Sequence, residues 1–292
     1  MMDPKAVLRG LIEEPGLAMQ PYCYDALSAR IAEKLGFRVV GLGGWALGAH
    51  TCITEPLITM TENLNAAKTI VNAIKIPLVV DAGAGYGEPM HVTRTVEEFE
   101  RAGVAAIHIE DQIYPKRAHY HRSYQERIIS REHMVEKIRY ACEARDDPDF
   151  VIIARTDSAH THGLEEAVER GNAYARAGAD MIMAFPDNSE QAEALPRRIR
   201  APTIYVNSPG NLAGRPMLSA VKAEELGYKF LSDAIALSIV TAQAVKETLQ
   251  NYLGRGEFDM DLERAESVRK EIEELIGLPR YYVIEEKTTE KK

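Results

Sequence analysis

Short apolar runs rich in β-branched residues recur along the chain, separated by longer stretches in which apolar side chains return every three or four positions. IPLVVDA from Ile76, DFVIIARTD from Asp149 and PTIYVNS from Pro202 are too short for helices and read as buried parallel strands. AEKLGFRVVGLGG, ERAGVAAIHIED, ARAGADMIMAF and AEELGYKFLSD each pass from a helical pattern through Gly36, Gly103, Gly178 or Gly227 into such a run, with glycine placed to cap the helix. Helices are predicted over roughly 24–35, 60–74, 94–102, 130–145, 164–177, 218–226 and 233–252, and Thr95 with Glu98 reads as a capping box opening the third.

Counting the short LAMQPY segment near residue 18, about eight strands alternate with helices, which predicts an α/β fold of the (β/α)8 TIM-barrel kind rather than an open sheet. One domain is expected over 1–292, with a C-terminal helical extension at about 258–280 and a disordered tail at about 286–292. That extension carries more apolar face than one barrel needs, which points to contacts between subunits.

At 292 residues, with 46% hydrophobic and 27% charged side chains, the chain can bury a sizeable core. Its formal charge of −9 provides no basic stripe for a phosphate backbone, so nucleic acid is not an expected partner. No stretch approaches the roughly 20 apolar residues of a membrane helix. The start, MMDPKAVLRG, has neither a long apolar run nor a small-residue cleavage site, and a cytoplasmic protein with no membrane partner is expected. Cys23, Cys52 and Cys142 show no CxxC pair or metal spacing, against disulfides and zinc.

In such barrels active sites form at the C-terminal ends of the strands. Gly43, Gly44, Asp81, Glu110, Arg155 and Asn207 stand there. Asp81 leads into the glycine-rich AGAGYGEP, and Glu110 follows the next strand; two such carboxylates repel unless a proton or cation lies between them. Hard oxygen ligands with water suit magnesium, or manganese, while helix-capping acids are the plainer reading. Arg155 requires an anion, either a substrate carboxylate or Asp157. GLGGWALG, holding Gly43, Gly44 and Trp45, suits glycine amides cradling a carboxylate better than a nucleotide loop.

QIYPKRAHYHRSYQERIIS is far longer than the usual connection after a strand and reads as a gating lid. It carries Lys116, Arg117, His119, Tyr120 and His121, which either donate protons and bind anions or lie in a solvated loop. His50, His108, His133, His160 and His162 lack a ligand pattern and read as structural.

Together, PYCYDALSARIAEKLGF, VVDAGAGYG, AGVAAIHIEDQIYPKR and IIARTDS resemble the isocitrate lyase / phosphoenolpyruvate mutase superfamily, particularly its short methylisocitrate lyase-like branch, over most of residues 10–250. The resemblance implies a (β/α)8 barrel, commonly tetrameric with a terminal helix exchanged between neighbours, and a magnesium ion holding a 2-oxo or 2-hydroxy acid as an enolate forms. By that resemblance Asp81 is the direct metal ligand and Glu110 reaches the metal through water. Arg155 binds the substrate carboxylate, Gly43 and Gly44 receive its other oxygens, and Asn207 is a polar pocket residue. Tyr22 and Trp45 join the substrate-binding candidates, Glu55 the metal candidates, and Lys116 and Arg155 the catalytic ones.

Several positions depart from the pattern. The expected D-x-D at the metal reads Asp81-Ala82-Gly83, and Glu55 stands where an aspartate is normal. Ala118 replaces the lid cysteine of the lyases and the asparagine of the phosphonate mutases, leaving His119, Tyr120 or His121 as proton donor. Phe185 replaces a family acid, and NSPGN stands where lyases tend to carry NMTEFG, so tricarboxylates are disfavoured. The sequence therefore predicts a magnesium-dependent carbon–carbon lyase on a small 2-hydroxy or 2-oxo acid. A 2-oxo acid decarboxylase is the alternative, followed by a phosphonate mutase or hydrolase and by a carboxylate-binding member with altered catalysis.

Overall fold

Eight strands, all paired in parallel, follow one another around a barrel: β1 (Ala18–Pro21), β2 (Val40–Leu42), β3 (Leu78–Asp81), β4 (Ala106–Glu110), β5 (Val151–Thr156), β6 (Met181–Ala184), β7 (Thr203–Asn207) and β8 (Phe230–Asp233). β1 pairs with β8, and a bridge between Tyr22 and Gly41 brings β1 back to β2. The computed structural model describes residues 3–118, 127–211 and 214–289. It forms two compact units, Met1–Ser238 and Ile239–Lys292, the first holding the whole barrel.

Alternation along the strands divides the core, because successive side chains in a strand face opposite ways. Val80, Ile107, Ile109, Ile152, Ala154 and Ile182 join the outer layer, where they meet Ile70, Val96, Phe99, Ile138 and Ala167 of the surrounding helices. Val79, Ala106, Val151, Ile153, Met181, Ile204, Val206 and Phe230 form a separate inner cluster with Leu8 and Leu11. Each such aliphatic side chain contributes about 1.5–3 kcal/mol on burial. Leu8 and Leu11 belong to the helix Pro4–Glu13, which closes the N-terminal end of the barrel. Arg9 fixes that helix through Asp180 (2.6 Å) and the Pro148 carbonyl (2.8 Å).

Gly36, Gly103, Gly178 and Gly227 all have the positive φ that the helix-to-strand transitions require. Two expectations differ. Thr95 opens no helix: the helix runs Pro89–Arg101, started by Pro89 and the Glu88–His91 capping box, and buried Thr95 bonds to the carbonyls of Gly85 and His91. A helix that the sequence did not predict, Gly44–Thr51, follows β2 and has Gly43 as its N-cap. In the second unit the extension is two helices, Leu262–Leu275 and Leu278–Thr288, so residues 286–288, read as tail, are helical. None of the described helices is long and apolar enough to cross a membrane.

Candidate active site

The inward register of the strands places a set of polar side chains beyond the inner apolar cluster, at the C-terminal end of the barrel. Asp81 follows Val79 on the inner face of β3, His108 and Glu110 follow Ala106 on β4, and Arg155 follows Ile153 on β5. They lie at and behind a cavity of about 280 Å³, whose lining includes Tyr22, Gly43, Gly44, Trp45, Glu55, Asp81, His108 and Arg155. Met183, Phe185, Val206 and Ile235 supply apolar wall, and Ser208, Asn211 and Arg215 further polar groups.

Asp81 Oδ1 accepts from the Gly83 amide (2.9 Å) and Oδ2 from the Gly44 amide (3.3 Å), so one of the two expected glycine amides donates to the protein's own carboxylate. The glycines also have a steric role. A Cβ on Gly41 would lie 2.3 Å from the Tyr22 ring, one on Gly43 2.8 Å from the same ring, and one on Gly44 2.9 Å from Glu55 Cγ. The Tyr22 hydroxyl lies 3.3 Å from His108 Nε2, and His108 Nδ1 lies 3.5 Å from Asp81 Oδ1. Burial lowers the pKa of His108, favouring neutral imidazole, and raises that of the Tyr22 phenol.

Behind the cavity the charges alternate. Lys116 Nζ lies 2.5 Å from Glu55 Oε1 and 3.2 Å from Glu110 Oε1; Arg155 Nη1 lies 3.1 Å from Glu110 Oε2. Arg155 Nε and Nη2 both reach Asp157 Oδ1 at 3.1 Å, and Asp157 Oδ2 in turn accepts from Gln112 (2.7 Å). The ion pair with Asp157 thus exists, and the arginine fork is oriented by two carboxylates of the chain itself. Burial pushes the Glu110 carboxyl up to about 7, against the pull of Lys116 and Arg155.

Asn207 is not among the residues lining the cavity. It alternates out of register with Val206, and its side-chain amide clasps the backbone of Leu218 instead, donating at 2.9 Å and accepting at 3.0 Å. His119, Tyr120 and His121 lie outside the described residues. The ends of their connection are tied together antiparallel: Gln112 bridges Ile128, Ile113 donates to Arg127 (2.8 Å), and Ile129 donates to Asp111 (2.8 Å). Several cavity residues escaped the sequence, His108 and Arg215 among them. His108 shares the face of Glu110 two positions on, a parity that was there to be used, whereas Arg215 stands in a loop without periodicity.

Among the described residues, no group of three or more His, Cys, Asp or Glu is disposed around one point to hold a metal ion. The donor chemistry nonetheless fits a hard cation that keeps much of its water. Asp81 and Glu55 line both the main cavity and an adjoining space of about 40 Å³, and buried Glu110 Oε1 is met by the Lys116 ammonium at 3.2 Å with no further hydrogen bond. Water between these oxygens and an ion is therefore accommodated without four direct protein ligands.

The phosphoenolpyruvate phosphomutase family model matches residues 8–253. The chain belongs to that family. The 2,3-dimethylmalate lyase of Eubacterium barkeri is 36% identical over 84% of each chain. The oxaloacetate decarboxylase of Paraburkholderia xenovorans is 31% identical over 86% of this chain and 90% of its own. A crystal structure of 2,3-dimethylmalate lyase superposes with a TM-score of 0.87 at 29% identity, covering 98% and 99% of the two chains. One of phosphonopyruvate hydrolase with oxalate and Mg2+ gives 0.86 at 26% identity over 99% and 100%.

Proposed function

We propose that this member of the family is a magnesium-dependent carbon–carbon lyase acting on a small 2-hydroxy or 2-oxo carboxylic acid. What carries the reading is the cavity at the strand ends, where the carboxylates of Asp81 and Glu55 and the guanidinium of Arg155 line one apolar-walled space. A 2,3-dimethylmalate lyase among the relatives supports it.

Asp81, with Glu55 and Glu110 acting through water, would hold the ion. Once bound, Mg2+ would polarise the oxygen at C2 and offset the negative charge that develops as the carbon–carbon bond breaks. Arg155, oriented by Asp157 and Glu110, anchors the substrate carboxylate, and the Gly44 amide holds Asp81 in place. Tyr22, Trp45 and the Met183 and Phe185 walls exclude water and orient the acid, while Lys116 ties the connection after β4 to the acids. Proton delivery falls to His119, Tyr120 or His121.

One observation favours a 2-oxo acid decarboxylase as second reading: the methyl group of Ala118 holds no proton for a departing enolate, and an oxaloacetate decarboxylase is among the relatives. Incubation of the protein and Mg2+ with a panel of 2-hydroxy and 2-oxo acids, with products identified by mass, decides between them. Two carbon fragments are expected from a hydroxy acid; carbon dioxide as the sole small product would defeat the lyase reading.

A cytoplasmic homotetramer with terminal helices exchanged between neighbours is part of the proposal. Leu249, Leu253, Val268, Ile276 and Val283 expose apolar side chains on the C-terminal helices, which supports it. Light scattering that gave a monomer mass would remove it.

A further inference from the structure

The loop that leads out of β3 is gripped from outside the barrel. Asn63, Thr95 and Lys137, all buried, come from three successive helices, Met60–Val71, Pro89–Arg101 and Arg131–Ala144. Asn63 Nδ2 donates to the Asp81 carbonyl (2.7 Å), Lys137 Nζ to that of Ala84 (2.5 Å) and Thr95 Oγ1 to that of Gly85 (3.1 Å). The Ala82 carbonyl accepts from the Gly85 amide (2.9 Å) and the Gly83 carbonyl from the Glu110 amide (2.8 Å), so every carbonyl from Asp81 to Gly85 is engaged. Within a main chain held in this way, the Gly83 amide donates to Asp81 Oδ1 (2.9 Å) and orients the carboxylate.

Asn63 does more than the other two. Its Nδ2 also donates to the Tyr86 hydroxyl (2.7 Å), so one amide group ties the start of the loop to its last turn. Tyr86 needs such a tie, because its φ of +58° is left-handed, unfavourable for a bulky side chain and kept only where the surroundings impose it. Asn63 is also an unfavourable core residue: its Oδ1 is buried and meets no donor among the described residues, which an apolar side chain of similar volume would avoid. The presence of a carboxamide there is explained by what its nitrogen holds, the main chain of Asp81. Asn63 and Tyr86 both line the space of about 40 Å³ that Asp81 and Glu55 share.

We propose that Asn63 is a positioning residue for the ion site, holding the Asp81 carboxylate in place before a divalent cation arrives. This rests on reading Asp81 as a ligand of Mg2+. Gly83 brings no carboxylate of its own, so direct ligation falls on Asp81, and the orientation of that one side chain decides the affinity.

Asn63→Leu keeps the volume and removes both donated hydrogen bonds. It is compared with the unaltered protein well below the melting temperature, by calorimetric titration with Mg2+ and by hydrogen exchange read by mass spectrometry without Mg2+. Exchange over residues 82–87 should quicken at least about tenfold while that over 151–156 on β5 is unchanged. Mg2+ affinity should fall at least about tenfold, the scale for losing a group that orients a metal ligand. Tyr86→Phe leaves the bond to Asp81 and should weaken Mg2+ by about threefold, and it serves where the Leu variant does not fold. Unchanged exchange overturns the proposal, and so does faster exchange with unchanged Mg2+ affinity, the behaviour of a brace that is structural only. Absence of Mg2+ binding by the unaltered protein overturns instead the metal reading itself, and the positioning role with it.

Discussion

Nζ of Lys116 lies 2.5 Å from Oε1 of Glu55, joining the connection after β4 to the short turn Glu55–Leu57 that follows the helix Gly44–Thr51. The same ammonium reaches Glu110, so one cation separates two largely buried carboxylates that would otherwise repel.

Lys116→Met should therefore cost about 3 kcal/mol, the scale for breaking a buried ion pair from one side. For a chain of this size that lowers Tm by roughly 6–12 °C. Mg2+ should restore more stability to the variant than to the unaltered protein, because the orphaned carboxylates then share a cation. Thermal melts with and without Mg2+ measure both, and equal Mg2+ shifts would count against acids that hold the ion together.

Gly83 offers a way to put back the acid that the family pattern carries. No heavy atom lies within 4 Å of where its Cβ would stand, although its φ of +53° is left-handed. Aspartate tolerates that region at a cost of about 1 kcal/mol. Gly83→Asp should tighten Mg2+ about tenfold by calorimetry, the effect of roughly 1.4 kcal/mol; an unchanged affinity would show that residue 83 does not face the ion.

Gly41 and Gly10 should respond in opposite directions to alanine. A Cβ on Gly41 would meet the Tyr22 ring carbons at 2.3 Å, so Gly41→Ala is expected to destabilise by about 3 kcal/mol and to displace Tyr22 from the cavity wall. Gly10 lies within the helix Pro4–Glu13 with nothing within 4 Å, and Gly10→Ala should stabilise by about 0.5–1 kcal/mol. Denaturant titration of the pair checks both signs.

Lys137 is buried with Nζ 2.5 Å from the Ala84 carbonyl, and burial lowers its pKa to about 8 against an ordinary 10.5. Between those values the unfolded chain binds more protons than the folded one, so this lysine makes stability rise with pH. The unaltered protein should gain up to about 3 kcal/mol over that window relative to Lys137→Met. Denaturant midpoints for both proteins at pH 7 and pH 10 measure the difference, and parallel pH curves would refute it.

The barrel was legible because short apolar runs mark the strands and, before β2, β4, β6 and β8, a glycine able to take positive φ ends the preceding helix. Asp81, Glu110 and Arg155 were legible because strand ends are where such barrels place polar groups. Asn207 was picked out by its place at a strand end without regard to parity: Val206 and Ser208 line the cavity, and the residue between them does not. Thr95 misled because the capping pattern is local, and Pro89 begins the helix a turn and a half earlier. The pairing of Lys116 with Glu55 spans 61 positions, and no spacing rule reaches across that distance.

The helix Pro4–Glu13 settles the traffic through the molecule. Leu8 and Leu11 pack into the inner cluster at one end of the barrel, and the described cavity lies toward the other, where the connection after β4 begins. Under the proposed cleavage of one acid into two fragments, both would leave by the end at which the acid enters, one after the other. The fragment that stays behind occupies ground the next acid needs, so it should act as a competitive inhibitor, and the one that leaves first should not.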